Sequence, residues 1–316
     1  MTTDKRWIDS EVSTPQDQYK ENKRVNEALT ELPAPYISGM KLRADVVLGD
    51  LVLNTVDSDG VIWVCTDIEG WWGHPDLDMP DIPRGNSDGS YDIRGRWQAR
   101  QLTLSGSILV PGPEYSAAAR DKLIRATTLV YSGTWLRTYE DPVRASWVRL
   151  SGKPDVKIVN ARGRIDFSIG LRAPDPVKYE WDDSDPEGYS IVEIPCRNAS
   201  TGRTGQGTVT NIGSADVTCI LEVSGGLTGV SSITNSTRDE LLLIIDSVAP
   251  GSFLEIDTYD REVALDGSIS GTRAIIDTLV DWIQLSPGTN NITFIDEGNP
   301  NSTAVLRVYY RSGWIG

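Results

Sequence analysis

The sequence predicts a mainly β protein with two β-sandwich-like domains, the first carrying a single packed α-helix, behind an N-terminal polar arm. Three observations predict it. Val, Ile and Thr are plentiful beside 29 Gly and 17 Pro, a composition of strands and turns rather than of helices. Short alternating segments recur every 8–12 residues through the second half, the spacing of a sandwich or barrel. Only one segment, 113–130, combines helical spacing with a start signal and a full apolar face. A length of 316 residues corresponds to about two domains.

Residues 1–39 form the polar arm. Thr14 caps and Pro15 opens a helix-compatible stretch that ends at Pro33-Ala34-Pro35. Its apolar residues, Tyr19, Val25, Ala28, Leu29 and Leu32, are too few for a core, so the arm docks elsewhere or frays. Residues 40–175 form the first β domain. Val46–Leu53 and Val61–Asp67 alternate on either side of Asp57-Ser58-Asp59-Gly60, a hairpin signature. Residues 68–92 read as a long loop holding Trp71-Trp72-Gly73-His74-Pro75, and irregular loops of that length are usually functional or sit at interfaces. One long strand is expected over 93–110. The helix over 113–130 places Tyr115, Ala119, Leu123, Ala126 and Val130 on the face that packs on a sheet. Short strands follow at 134–139, 143–150, 156–160 and 164–171. An acidic linker, 176–190, leads to the second domain, 191–316, with strands at 191–196, 207–211, 217–223, 240–245, 253–258, 262–265, 291–295 and 303–311.

Charge is unevenly spread. Residues 1–93 carry net −10, residues 94–172 net +8 and residues 173–316 net −13. An acidic chain with a basic middle is not built to coat nucleic acid, and no stable nucleic-acid binding is expected. Two readings of the alternation stand side by side: contact between the basic middle of one copy and an acidic region of the next, or solvated surface charge. No apolar run reaches the roughly 18–20 residues of a membrane helix, so no membrane insertion is expected. The first residues show no apolar signal-peptide core, and folding in a cytoplasm is expected.

No catalytic constellation is singled out. Cys65, Cys196 and Cys219 are an odd set without a CxxC pair, and His74 is the only histidine. Buried thiols, no disulfide framework, no metal site and no cofactor are therefore expected. The acids Asp182, Asp183, Asp185 and Glu187 suit a hard cation in type but lack the EF-hand pattern. Gly85-Asn86-Ser87-Asp88-Gly89 has the letters of a nucleophile elbow, but it lies in a Pro/Asp loop with no histidine after it. With 45 acidic residues a glycosidase pair has many possible members and no marked one. No enzyme is expected.

Arginines and tryptophans supply the remaining candidates. Arg94, Arg96 and Arg100 have even spacing, which puts them on one strand face, either pairing with acids of a neighbour or keeping that face soluble. Trp71 and Trp72 divide between interface and core. Trp282 and Trp314 are the candidates for a sugar platform, with a core role the stronger reading for Trp282 in Leu279-Val280-Asp281-Trp282-Ile283.

Leu102-Thr103-Leu104-Ser105-Gly106-Ser107-Ile108 before the helix, Val148-Arg149-Leu150-Ser151-Gly152-Lys153-Pro154 after it, and Phe167–Tyr179 closing the unit follow an order that resembles the N-terminal domain of long-tailed (siphovirus) phage distal tail proteins, also called minor tail proteins. Gly207–Val217, Leu254–Arg261 and Trp282–Ile292 resemble their C-terminal sandwich. The similarity spans roughly residues 40–316 and leaves out the polar arm and the 68–92 loop. The resemblance implies a structural, non-enzymatic virion protein of the tail tip or baseplate, assembled in the host cytoplasm. It implies a homo-oligomeric ring, a hexamer, made by the first domain, with a galectin-like or carbohydrate-module-like second domain outside it. The implied partners are the tail tube protein, the tail-tip hub protein and the tape measure protein. The alternative reading is a tail-tip module that binds host-surface glycans.

Overall fold

The computed structural model describes residues 46–128, 132–159, 163–185, 188–269 and 281–316. The polar arm 1–39 and its helix lie outside the described residues, as do Val130, Glu187 and the start of the Trp282 run. The chain divides into two units. The first takes the described residues 46–185 and Ile315–Gly316; the second runs from 188 to Trp314. The stretch expected as a linker is partly structured: residues 176–185 belong to the first unit, where a strand at Lys178–Glu180 pairs with Arg144 and Ala145.

The first unit contains β1 (Val46–Leu48), β2 (Leu51–Leu53), β3 (Thr55–Val56), β4 (Ile62–Glu69), β5 (Leu77–Asp78), β6 (Arg96–Trp97), β7 (Arg100–Leu109), α1 (Ser116–Ala126), β8 (Thr134–Thr138), β9 (Arg144–Leu150), β10 (Asp155–Ile158), β11 (Arg164–Ala173) and β12 (Lys178–Glu180). The main sheet runs β2-β1-β8-β9-β11-β7-β4-β3, with β10 on β11 and β12 on β9. Its two end strands, β2 and β3, are separated in the chain only by Asn54. The sheet must therefore curl until its edges meet, and the layers of this sandwich-like unit are parts of one rolled sheet. Asn54 makes that corner. It adopts φ 60°, is fully buried, and accepts a 2.8 Å hydrogen bond from the Cys65 amide. Asparagine tolerates this left-handed conformation, and its side chain satisfies a backbone donor.

Alternation sets the register. In β7 and β11 every second residue is buried, so Leu102, Leu104 and Ile108 oppose Leu171, Ile169 and Ile165 across the ladder. Gly106 opposes Phe167, whose ring covers it. These residues join Val46, Leu53, Trp63, Ile68, Leu136 and Val148 in one core, which α1 closes with Ala119 and Leu123. The expected helix face holds for those two residues and for Ala126, which is partly buried against the core, whereas Tyr115, in a single 3₁₀ turn (Pro113–Tyr115) before α1, is exposed. Asp57 locks the predicted turn: it accepts from the amides of Asp59 and Val61, from Trp63 Nε1 at 3.0 Å and from Lys122 on α1 at 3.1 Å. Burial by itself would raise its carboxyl pKa, but the bonds from Trp63, Lys122 and Val61 outweigh it and hold the pKa below the usual value.

Two expected strands are divided. Gly49, at φ 59°, folds Val46–Leu53 into a β1–β2 hairpin. The strand expected over 93–110 is β6 followed by β7.

The second unit is a sandwich of β13 (Ser190–Pro195), β14 (Gln206–Asn211), β15 (Val217–Ser224), β16 (Ser231–Asn235), β17 (Glu240–Ile244), β18 (Phe253–Asp257), β19 (Glu262–Leu265), β20 (Gln284–Leu285), β21 (Gly288–Asp296) and β22 (Val305–Tyr310). One sheet is β13-β22-β15-β18-β19 with β20 on β15, and the other is β14-β21-β16-β17. Val217, Cys219, Leu221 and Val223 point into the core, as do Leu306 and Val308. Three fully buried asparagines, Asn211, Asn235 and Asn290, donate to carbonyls of 215, 284, 285, 286 and 288 and so satisfy the loop backbone that the sandwich encloses. All three cysteines are buried and free, and burial pushes the Cys219 thiol up to about 12, far from a nucleophile's range.

Candidate assembly surface

The stretch expected as an irregular loop is a hairpin arm. Leu77 and Asp78 of β5 pair with Trp97 and Arg96 of β6. Backbone bonds Gln98 N to Asp76 O, Tyr91 N to Ile82 O and Arg84 N to Gly89 O carry the pairing out to a tip at 84–89. Strands of two residues escape a periodicity test, so the sequence showed only the Pro and Asp between them. The arm exposes Leu77, Met79, Ile82, Tyr91 and Trp97; Met79 is 59% and Tyr91 58% exposed. His74 stacks on Trp97 at 5.4 Å. A two-stranded hairpin is marginal in water by itself. Contiguous exposed apolar side chains of this kind mark interaction sites on protein surfaces.

The root of the arm is as fixed as its tip is bare. β4 stops just before Gly70, which has φ 82°; a Cβ there would come within 2.2 Å of the Gln101 carbonyl. The chain then buries Trp71 completely. Trp71 Nε1 donates to Glu140 at 3.1 Å, and Glu140 also accepts from Thr138 Oγ1 at 2.8 Å. Arg100, 1% exposed, donates Nη1 to the carbonyls of Gly70 at 2.8 Å and Gly73 at 2.7 Å. Its Nε reaches Pro176 O at 3.1 Å, and Nη2 bonds the Ile315 carbonyl. The fully buried Lys178 donates to Trp71 O at 2.9 Å and lies over the Trp71 ring. Two cations thus hold the carbonyls of one tight turn, and the rigid fork of arginine suits several acceptors at once.

That arrangement lowers the pKa of Lys178 from 10.5 to about 8, first by burial and then by the charge of Arg100. Below about pH 8 the folded and unfolded chains both carry this proton, and the folded state bears the full penalty. Between about 8 and 10.5 the unfolded state still binds the proton and the folded state does not, so stability rises with pH. Chemical denaturation from pH 7.5 to 10.5 is expected to show that rise in the wild type, and Lys178→Met is expected to lack it. Equal slopes in the two proteins would refute the assignment.

The residues expected at an interface are divided by the structure. Arg94, Arg96 and Trp72 are exposed on the arm. Trp71 and Arg100 are buried within the chain. The signal for Arg100 was in the sequence. It shares the parity of Leu102, Leu104 and Ile108, the core side of β7, and even spacing from Arg96 does not extend across the break between β6 and β7. Lys178 and Glu140 carried no such signal, because their roles come from a turn whose Trp71 lies 107 and 69 residues away in the chain. Of the two candidates for sugar binding, Trp314 is buried. Trp282 is half-buried. Asp183, one of the acids weighed for a cation, pairs with Arg137 at 3.0 Å.

Residues 213–314 match the family model of the siphovirus-type tail component, C-terminal domain. No curated protein sequence matches. Among solved structures, the fold is similar to the Dit protein of phage SPP1, described as a paradigm of the hub adsorption apparatus in phages that infect Gram-positive bacteria. The TM-score is 0.57 at 14% identity, covering 78% of this chain and 93% of that one. A chain of the phage P2 baseplate in its activated conformation gives a TM-score of 0.45 at 9% identity, over 85% and 98% of the two chains. The chain has a fold similar to that of a Dit-type phage tail protein, and its residues 213–314 match the model of the siphovirus-type tail component, C-terminal domain, in agreement with the resemblance in the sequence.

Proposed function

We propose that this chain is a structural, non-enzymatic component of a phage tail tip: a ring-forming distal tail adaptor that joins the tail tube protein to the tail-tip hub protein. The carrying observation is the hairpin arm, apolar and exposed at its end and fixed at its root by Arg100 and Lys178. A stiff arm holds its contact surface in one orientation before assembly, which lowers the entropic cost of association. Repeated contact between one patch and a different patch on the next copy is heterologous and closes into a ring when the rotation allows. The mixed charge of the first unit fits such contacts. The tail-component family of residues 213–314 supplies the virion context. Glycan binding has less behind it: the open cleft on the second unit, about 490 Å³, is lined by Gln206, Thr208, Ser236, Asn291 and Thr293 with no aromatic face.

Light scattering of the purified chain over a range of concentration and salt tests this reading. A discrete ring-sized oligomer is expected, and replacing 77–97 by a short Gly-Ser turn is expected to leave a folded monomer. A wild type that stays monomeric throughout would defeat the ring, and an arm-less ring would defeat the arm's part in it.

A further inference from the structure

On the face of the sheet opposite the core of the first unit, two arginines meet with no acid paired to either among the described residues. Arg149 of β9 and Arg172 of β11 are direct partners in the ladder, and both are exposed. Like charges directly opposite each other destabilise a strand pair. Neither guanidinium has an ion pair or hydrogen-bonded acid among the described residues, although other surface arginines do: Arg164 pairs with Asp166 and Arg307 with two glutamates. Gln101 of β7 continues the row beside Arg172. Trp147, two residues before Arg149 and on the same face, is 39% exposed, with its inner edge against Trp135. The patch is thus two unbalanced cations beside an aromatic side chain.

The complementary surface is on the same chain. On the arm, residues 76–97, Asp76, Asp78, Asp81, Asp88 and Asp92 are all exposed, against Arg84, Arg94 and Arg96, so acids outnumber bases five to three. None of the five carboxylates makes an ion pair among the described residues. They alternate with Leu77, Met79, Ile82 and Tyr91, so the arm offers acids and apolar side chains together. The arm does not fold back onto the arginine pair within one molecule, since the described structure holds the two sets unpaired.

We infer that the Arg149–Arg172 pair, with Trp147, is the receiving surface for the aspartate-bearing arm of a second copy of this chain. The inference rests on the ring reading above and names its contact. Pairing relieves the arginine repulsion, covers the apolar arm and joins two different patches, which is the heterologous geometry that a ring requires.

The test uses the full chain in light scattering and sedimentation. One variant carries Arg149→Glu and Arg172→Glu, the other Asp81→Lys and Asp88→Lys; all four sites are exposed, and the melting temperature checks that both variants fold. Each variant alone is expected to self-associate at least about tenfold more weakly than the wild type, about 1.4 kcal/mol per contact. Mixing the two is expected to restore assembly, because each then meets a complementary surface. A wild type that assembles while the arginine variant assembles equally well, or a mixture that fails to recover, overturns this contact and leaves the ring reading standing. A wild type that is monomeric at every concentration overturns both.

Discussion

Replacing Arg100 by alanine is expected to lower the stability of the first unit by about 3–5 kcal/mol, because it strands several buried carbonyls at once. The groups affected are the carbonyls of Gly70, Gly73, Pro176 and Ile315, which come from three separate parts of the chain. One effect opposes this loss. Lys178 would no longer face a second buried cation. That relief is the smaller effect, since burial rather than Arg100 is the larger cause of the lowered Lys178 pKa. For a unit of this size the loss corresponds to a fall of about 10 °C in melting temperature. Hydrogen exchange should localise it: amides around 70–73 and at the base of the arm lose protection, while β15 and β22 in the second unit keep theirs. Arg100→Lys is expected to recover less than half of the loss, because an ammonium reaches fewer of these acceptors than the guanidinium fork. Unchanged exchange at 70–73 in Arg100→Ala would show that the arm root is held by something else.

Gly106→Ala is expected to cost about 3 kcal/mol, at the upper end for a single added methyl in a packed core. A Cβ at Gly106 would lie 2.1 Å from the Val64 carbonyl oxygen and 2.4 Å from the Phe167 ring. Neither neighbour has room to move. Val64 is in the β4–β7 ladder, opposite Ser107, and Phe167 is held in the core between β7 and β11. Phe167→Leu removes only the ring contact, so the double variant Gly106→Ala/Phe167→Leu is expected to be no more stable than Gly106→Ala. Thermal unfolding followed by tryptophan fluorescence measures both, since Trp63 lies in the same core. Restoration of wild-type stability by Phe167→Leu would place the whole strain on the ring and refute the backbone clash.

Much of the fold was legible in the chain because its signals are local. β7, β9, β11 and β15 alternate with a near period of two over seven to ten residues, long enough for one face to be recognised, and β4 was legible from its apolar run. α1 was legible from Ala119 and Leu123 at helical spacing, and the Asp57–Gly60 turn from its residue types. β16, Ser231–Asn235, was missed because its buried positions are Ser231, Ile233 and Asn235, two of them polar, and the Asn235 amide finds its acceptors, Gln284 O and Asn290 Oδ1, only when the sandwich is assembled. The arm was missed as a hairpin because β5 and β6 are two residues each.

The sequence alone therefore determined what depends on near neighbours: the β class, the single helix, the buried cysteines and the acid-base-acid charge order. Tertiary structure alone decided what depends on meeting residues far apart. The rolling of the sheet follows from β2 and β3 being chain neighbours at opposite ends of its strand order. Arg100 is inside because carbonyls from 70–73, 176 and 315 converge on one guanidinium, and a buried cation is tolerable only where such acceptors replace water. Arg149 and Arg172 became a pair only when the ladder set them opposite each other, 23 residues apart in the chain.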